Sequence, residues 1–308
     1  MWLVYVIIGL LLALFLICSY FYHLAVSTSK KRFLSGNEDL PESFSGGIYA
    51  LGKEWLDKAP KEELTLKSHD GLTLKALFIP SPQTNQRVFV VLAHGYTSKG
   101  LDMGVEAKFY NEELGFNVLA PDDRGHGKSE GHYIGFGWHD RLDYLNWIQY
   151  LIKTFGQDIK ILLHGISMGG ATVLMLSGEK LPSNVKAIVS DCAYTSARDI
   201  LAYQLKRMYG LPPFPILSLT SLLTRIRAGY TFHEASALEQ VKKATVPILF
   251  IHGREDSFVP FDMVHALYKA CASEKMLLEV EGAGHGESLS KDNENYRRTV
   301  KAFIGKYL

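Results

Sequence analysis

The segment Gly165-Ile166-Ser167-Met168-Gly169 constrains this 308-residue chain more than any other. An apolar run, Ile159 to Leu163, enters it and a small-residue stretch, Gly170 to Leu176, leaves it. The first reads as a buried strand and the second as a closely packed helix, so the five residues form a strand-to-helix turn with a serine at its apex. Glycines on either side let adjoining backbone approach where a side chain would block it. Such a turn sets the Ser167 hydroxyl above a sheet edge and at a helix N-terminus, where unpaired backbone N–H groups favour a developing negative charge.

A serine becomes a nucleophile with the help of a base, and an imidazole base needs a carboxylate to hold its tautomer. Pro247 to Ile251 reads as a buried strand that opens into His252-Gly253-Arg254-Glu255-Asp256-Ser257-Phe258-Val259-Pro260, which makes Asp256 the candidate carboxylate. Met276 to Val280 is a further strand-like run, and the glycine-rich loop Glu281-Gly282-Ala283-Gly284-His285-Gly286-Glu287 after it can bring His285 back over the sheet as the candidate base. The three come in the chain order Ser, Asp, His, unlike the orders of the chymotrypsin and subtilisin types.

With these motifs in this order, the chain from about Glu62 to its end resembles the α/β-hydrolase superfamily, and most closely its bacterial, membrane-anchored, esterase-like serine hydrolases. Two further motifs carry the resemblance: His94-Gly95-Tyr96-Thr97 after the strand Val88 to Ala93, and Asp122-Asp123-Arg124-Gly125-His126-Gly127-Lys128-Ser129 after Phe116 to Ala120. The resemblance implies an oxyanion hole made by the backbone N–H groups of Tyr96 and Met168, and no need of a metal or organic cofactor. It also admits Asp191, after the strand Val185 to Ser190, as a rival carboxylate; the G-x-x-D-x-x-V-P context favours Asp256. His94 is read as ordering the oxyanion loop, Arg124 and His126 as bracing the loop after the fourth strand, and His164 and His252 as supports at strand ends. The glycines at 282, 284 and 286 are not followed by a complete βαβ unit and do not make a nucleotide loop.

Helix-like and strand-like segments alternate, which predicts an α/β fold with a mostly parallel central sheet covered by helices. Glu62 to Lys67 and Leu72 to Ile79, joined at Asp70-Gly71, read as a hairpin. Helices are expected over Met103 to Leu114, Trp138 to Phe155 and Asn293 to Ile304. Between Thr195 and Ala244 the pattern changes to Leu211-Pro212-Pro213-Phe214-Pro215-Ile216 and an apolar run, as for a small helical cap; Arg225 and Arg227 there are read as solvated charges rather than ligands of a substrate carboxylate. The three cysteines, Cys18, Cys192 and Cys271, are far apart and lack zinc spacing, and Cys192 reads as a small buried packing residue.

From Trp2 to Val26 there is no Asp, Glu, Lys or Arg. The run is long enough to cross a bilayer of roughly 30 Å as a helix, with Tyr5 and Tyr20-Phe21-Tyr22 suited to the two interfaces. Cleavage near Ala25-Val26-Ser27 is the competing reading, weakened by the absence of a basic leader and by the length of the apolar run. Lys30-Lys31-Arg32 directly after the span places the rest of the chain on the cytoplasmic side by the positive-inside rule, with the extracellular face the alternative. The expected division is an anchor over 1–26, a juxtamembrane connection over 27–61 and a catalytic domain over 62–308, with the cap inserted over about 195–244. A net charge of +1 gives no reason to expect nucleic acid. The expected activity is hydrolysis of small-molecule carboxylic or acyl esters through an acyl-enzyme. A serine peptidase of the same fold and an inert membrane-tethered binding protein are the alternatives.

Overall fold

The computed structural model describes residues 1–34, 37, 40 and 47–308, without the Arg32 side chain. The polar positions Ser35-Gly36, Glu38 and Ser45-Gly46 of the connection lie outside the described residues. In chain order the elements are α1 (Trp2–Ala25), α2 (Gly47–Lys58), β1 (Glu62–Lys67), β2 (Thr73–Ile79), β3 (Val88–Ala93), α3 (Gly104–Lys108), β4 (Asn117–Pro121), α4 (Asp140–Phe155), β5 (Lys160–Ile166), α5 (Met168–Leu176) and β6 (Val185–Asp191). They continue with α6 (Ala197–Tyr209), α7 (Ile216–Ala228), α8 (Ala237–Val241), β7 (Ile248–Gly253), α9 (Asp262–Ala270), β8 (Lys275–Val280), α10 (Ser288–Lys291) and α11 (Asn293–Ile304).

The strands form an eight-stranded sheet in the order β1-β2-β4-β3-β5-β6-β7-β8. β2 pairs antiparallel with β1 and β4, and every other pairing is parallel. Successive side chains of a strand point to opposite faces, so a buried parallel strand needs apolar residues on both. β3 does this with Phe89, Val91 and Ala93 in one core and Val90 and Leu92 in the other. On the first face lie α4, α5 and α8; on the second, α2, α3 and α11. The helix expected from Met103 is shorter, because after Lys108 the chain widens into a π-helical turn, Phe109–Glu113.

The connection contributes more than a tether. α2 lies so close to α3 that a Cβ on Gly52 would stand 2.6 Å from the Val105 backbone nitrogen, a contact that only glycine permits. α1 is largely exposed along its first four turns, and it is a helix long and apolar enough to cross a membrane. Its last turns differ. Cys18, Tyr22 and Val26 are buried against the domain, the Ile134 N–H donates to Val26 O at 2.7 Å, and Ser27 bridges Tyr133. Burial of a side chain such as Val26 contributes about 2 kcal/mol. Of the three aromatics expected at an interface, Tyr20 is exposed, whereas the Tyr22 ring is covered by the Arg227 guanidinium at 5.0 Å and Phe21 meets Tyr209 edge-on at 5.3 Å. Lys31 closes the end of α1, its Nζ donating to His23 O at 3.1 Å and Ser27 O at 2.6 Å.

Candidate active site

β5 ends at the turn with which the sequence is most concerned. Ser167 takes φ 56° and ψ −115°, a conformation that L residues rarely adopt and that costs on the order of 1–3 kcal/mol. Its neighbours hold it there: Ser167 N–H donates to Asp191 O and Ala171 N–H to Ser167 O, both at 2.9 Å. A Cβ on Gly165 would stand 2.1 Å from Gly169 O, and one on Gly169 would stand 2.0 Å from Ala93 O. The flanking glycines are thus required by the approach of β3 and α5, and the packing of those elements fixes the direction of the serine hydroxyl.

The loops after β7 and β8 deliver the other two groups. His285 Nε2 lies 2.9 Å from Ser167 Oγ, and its Nδ1 lies 2.8 Å from Asp256 Oδ2. Asp256 Oδ1 accepts the N–H groups of Phe258 at 3.0 Å and Val259 at 2.8 Å. His252 Nε2 approaches Asp256 Oδ2 at 3.2 Å and Val259 O at 3.0 Å, so a second imidazole steadies the same carboxylate. Burial opposes ionisation of Asp256, yet the adjacent His285 and the His252 bond outweigh it and hold the carboxyl well below its ordinary range. The rival Asp191 accepts instead from Ser288 Oγ at 3.1 Å, and burial pushes its carboxyl up to about 6. It stands under the loop that carries His285 and makes no hydrogen bond to that ring.

Gly95 abuts the elbow, where a Cβ would meet Ile166 O and the Ser167 Cβ at 3.6 Å. Tyr96, the next residue, lines one cleft with Ser167 and with Met168, the first residue of α5, whose N–H has no partner within the helix. His94 orders the loop. Its Nδ1–H donates to Gly95 O at 2.8 Å and its Nε2 accepts from Asp123 N–H at 3.0 Å, while burial lowers its pKa and keeps it neutral. Behind it, Arg124 clamps Asp143 through Nε at 2.7 Å and Nη2 at 2.8 Å, and reaches Asp70 at 2.9 Å. His126 packs edge-on against His94 at 5.1 Å. His164 lies remote from the cleft, between the hydroxyls of Tyr110 and Tyr296. The structure therefore brings Ser167, His285, Asp256 and the backbones of Tyr96 and Met168 together, with the histidines of the motifs around them as supports.

A cleft of about 870 Å³, counting its open mouth, stands over Ser167. Its walls include Phe136 from the loop before α4, Leu205 and Leu217 from α6 and α7, and Phe21, Leu24 and Ala25 from α1. Arg225 and Arg227 do not line it. Cys192 is buried beside Asp256 and His285, with a sulfur within 4.8 Å of their ligating atoms. Burial raises its thiol well above the ordinary range, and the carboxylate and imidazole are engaged with each other, so this trio offers no open set of metal ligands. Sequence reading has His252 as a support at a strand end without naming what it supports; it stands near the end of β7, four residues before Asp256, as the second partner of that carboxylate. Nothing in the sequence signals the Tyr96 hydroxyl, which donates to Ala25 O at 2.7 Å, or the α1 side chains in the cleft wall.

A family model described as the alpha/beta hydrolase fold matches residues 88–214, and one described as serine hydrolase (FSH1) matches residues 170–286. The chain has the α/β-hydrolase fold. Among proteins similar to this hydrolase is the uncharacterized protein YqkD of Bacillus subtilis, 29% identical over 252 residues, or 82% of this chain and 81% of YqkD. The solved structure of the esterase Pf2001 of Pyrococcus furiosus aligns with a TM-score of 0.65 and 23% identity over 82% of this chain and 95% of its own. The acylaminoacyl peptidase of Pyrococcus horikoshii aligns with a TM-score of 0.58 and 20% identity over 81% of this hydrolase but 42% of the peptidase. At these identities the two solved structures share its fold.

Proposed function

We propose that this hydrolase cleaves carboxylic esters of acyl substrates through Ser167, His285 and Asp256, while held at a membrane by α1. The observation that carries the reading is the unbroken hydrogen-bonded line from Ser167 Oγ through His285 to Asp256 at the floor of an apolar cleft. Ser167 Oγ attacks the ester carbonyl as His285 Nε2 takes its proton, and Asp256 stabilises the imidazolium that results. The N–H groups of Tyr96 and Met168 receive the oxyanion, each such donor contributing on the order of 3 kcal/mol to the transition state. The tetrahedral intermediate collapses, the alcohol leaves with the proton from His285, and the acyl group stays on Ser167. His285 then draws a proton from water, whose oxygen attacks the acyl carbon; the acid is released and Ser167 regains its proton. One ester and one water become one acid and one alcohol.

On this reading residues 1–26 anchor the protein, 27–61 connect, and 62–308 form the catalytic domain with its cap over about 195–244. The burial of Cys18, Tyr22 and Val26 favours a retained helix over a cleaved leader, because removal of α1 would strip side chains from the core. Lys30 and its basic neighbours support a cytoplasmic catalytic domain. The test uses the full chain in detergent micelles with p-nitrophenyl esters. Wild type is expected to release nitrophenol and Ser167→Ala to lose at least about three orders of magnitude in kcat. Equal rates in the two proteins, or turnover of aminoacyl anilides in place of esters, would overturn ester hydrolysis.

A further inference from the structure

We propose that the end of α1 is itself part of the substrate site, and that the substrate is a long-chain acyl ester of an amphiphile drawn from the bilayer. The proposal rests on the ester-hydrolase reading above and adds the source and class of the acyl group. Phe21, Leu24 and Ala25 share the cleft wall with Ser167, and no Asp, Glu, Lys or Arg occurs among the described residues that line it. A cleft with no charge to meet another charge, and with Gln204 and Thr220 as its main polar side chains besides Ser167, suits an alkyl chain.

The position of α1 gives the source. Its 24 residues measure about 36 Å, against a hydrocarbon layer of roughly 30 Å. The last turn, which holds Phe21, Leu24 and Ala25, therefore stands where the bilayer ends and the cleft begins. The cap descends beside it. Cys18, about 10 Å below Ala25 along the helix, has its sulfur 3.9 Å from Ile216 O at the start of α7. Next to that point Phe214 is 76% exposed, and Ile226 farther along α7 is 75% exposed, apolar surface of the kind that seeks a lipid phase. The helix end is not free to swing away, because Tyr96 Oη donates to Ala25 O and the Ile134 N–H to Val26 O, both at 2.7 Å. An acyl chain that follows α1 upward passes from lipid into the cleft and reaches Ser167 without crossing water.

The test places the full-length protein in phosphatidylcholine vesicles with 4-methylumbelliferyl butyrate or hexadecanoate. Wild type is compared with Leu24→Trp, Phe21→Trp and Leu11→Trp, the last on an exposed part of α1 outside the cleft, and fluorophosphonate labelling of Ser167 reports a folded site. The hexadecanoate-to-butyrate ratio of kcat/KM is expected to fall by about tenfold or more in the two cleft variants and to stay at the wild-type value in Leu11→Trp. A wild-type ratio in both labelled cleft variants overturns the inference and leaves ester hydrolysis standing. A labelled wild type that hydrolyses neither ester overturns the ester reading instead. If the cleft variants do not label, wild type is treated with a hexadecyl fluorophosphonate bearing a diazirine at its chain end; cross-links to α1 support the proposal, and cross-links confined to other walls overturn it. Hexadecanoate supplied in separate, protein-free vesicles is expected to be turned over far more slowly than in the protein's own vesicles, and equal rates overturn the bilayer as its source.

Discussion

Two imidazoles converge on one carboxylate at Asp256, and they do different work. His285 sits between that carboxylate and the serine, whereas His252 touches the carboxylate and the Val259 carbonyl but not the serine. With the Phe258 and Val259 N–H groups on its other oxygen, Asp256 is hydrogen-bonded at both oxygens and stays ionised despite its burial. An amide in its place presents a donor to His285 Nδ1–H and favours the wrong tautomer. Asp256→Asn is therefore expected to lower kcat on p-nitrophenyl butyrate by about 10⁴ without loss of fold. Asp191→Asn is expected to keep kcat within about tenfold and to lower thermal stability through the Ser288 contact, typically by about 1 kcal/mol. If the larger loss fell on Asp191, the assignment of the acid would be reversed. In the sequence both carboxylates stand at the ends of buried strands and motif context alone favours Asp256; in the fold Asp191 closes β6, while the loop after β7 carries Asp256 to His285.

At the scale of elements, the site is a product of how tightly α5 is driven into the junction of β3 and β5. Gly169→Ala would put a methyl group 2.0 Å from Ala93 O, with backbone on both sides and nothing flexible to yield. A loss of about 3 kcal/mol or more is expected. Gly210→Ala supplies the contrast. That residue closes α6 at φ 66° with nothing within 4 Å of a Cβ, so the cost is the left-handed backbone alone, about 1–2 kcal/mol. Chemical denaturation of the two variants separates crowding from strain, and comparable losses would contradict the packing account. Elements whose signal is local were legible in the sequence. β1, β3 and α11 begin and end where alternation, apolar runs and helical spacing place them, and the Asp70-Gly71 hairpin forms as expected. α2 was passed over as connection, although Ile48, Leu51, Trp55 and Leu56 recur at helical spacing. The packing of α1 on the domain was not legible, because a uniform apolar run gives no sign of which residues stay exposed and which face Ile134 or Ile216, far along the chain.

For the whole molecule, buried carboxyls make stability depend on pH in a stated direction. Burial pushes Asp123 up to about 8 and Asp140 up to about 7, whereas an unfolded aspartate ionises near 4. Between those values the folded chain holds protons that the unfolded chain has released, so stability declines as pH rises through the window and levels off above it. Asp123→Asn retains an acceptor for the Tyr144 hydroxyl, which donates to Asp123 Oδ1 at 2.7 Å. It is expected to flatten the decline by roughly 1 kcal/mol per pH unit or less, with Asp140 keeping part of it; thermal melts at intervals from mild acid to pH 8 check this, and an unaltered slope would remove Asp123 as a cause. The knitting of α1 into the core also sets an order of events during synthesis. At about 5–20 residues per second, Ile216 leaves the ribosome some 10–40 s after Cys18, its partner 198 positions earlier. Through that interval Cys18 and Tyr22 lack their α7 partners, Ile216 and Arg227, so the cap is made after the helix end on which it packs. On the anchored reading proposed above, a nascent chain whose helix lodges at the wrong depth carries that error into the wall of the cleft over Ser167.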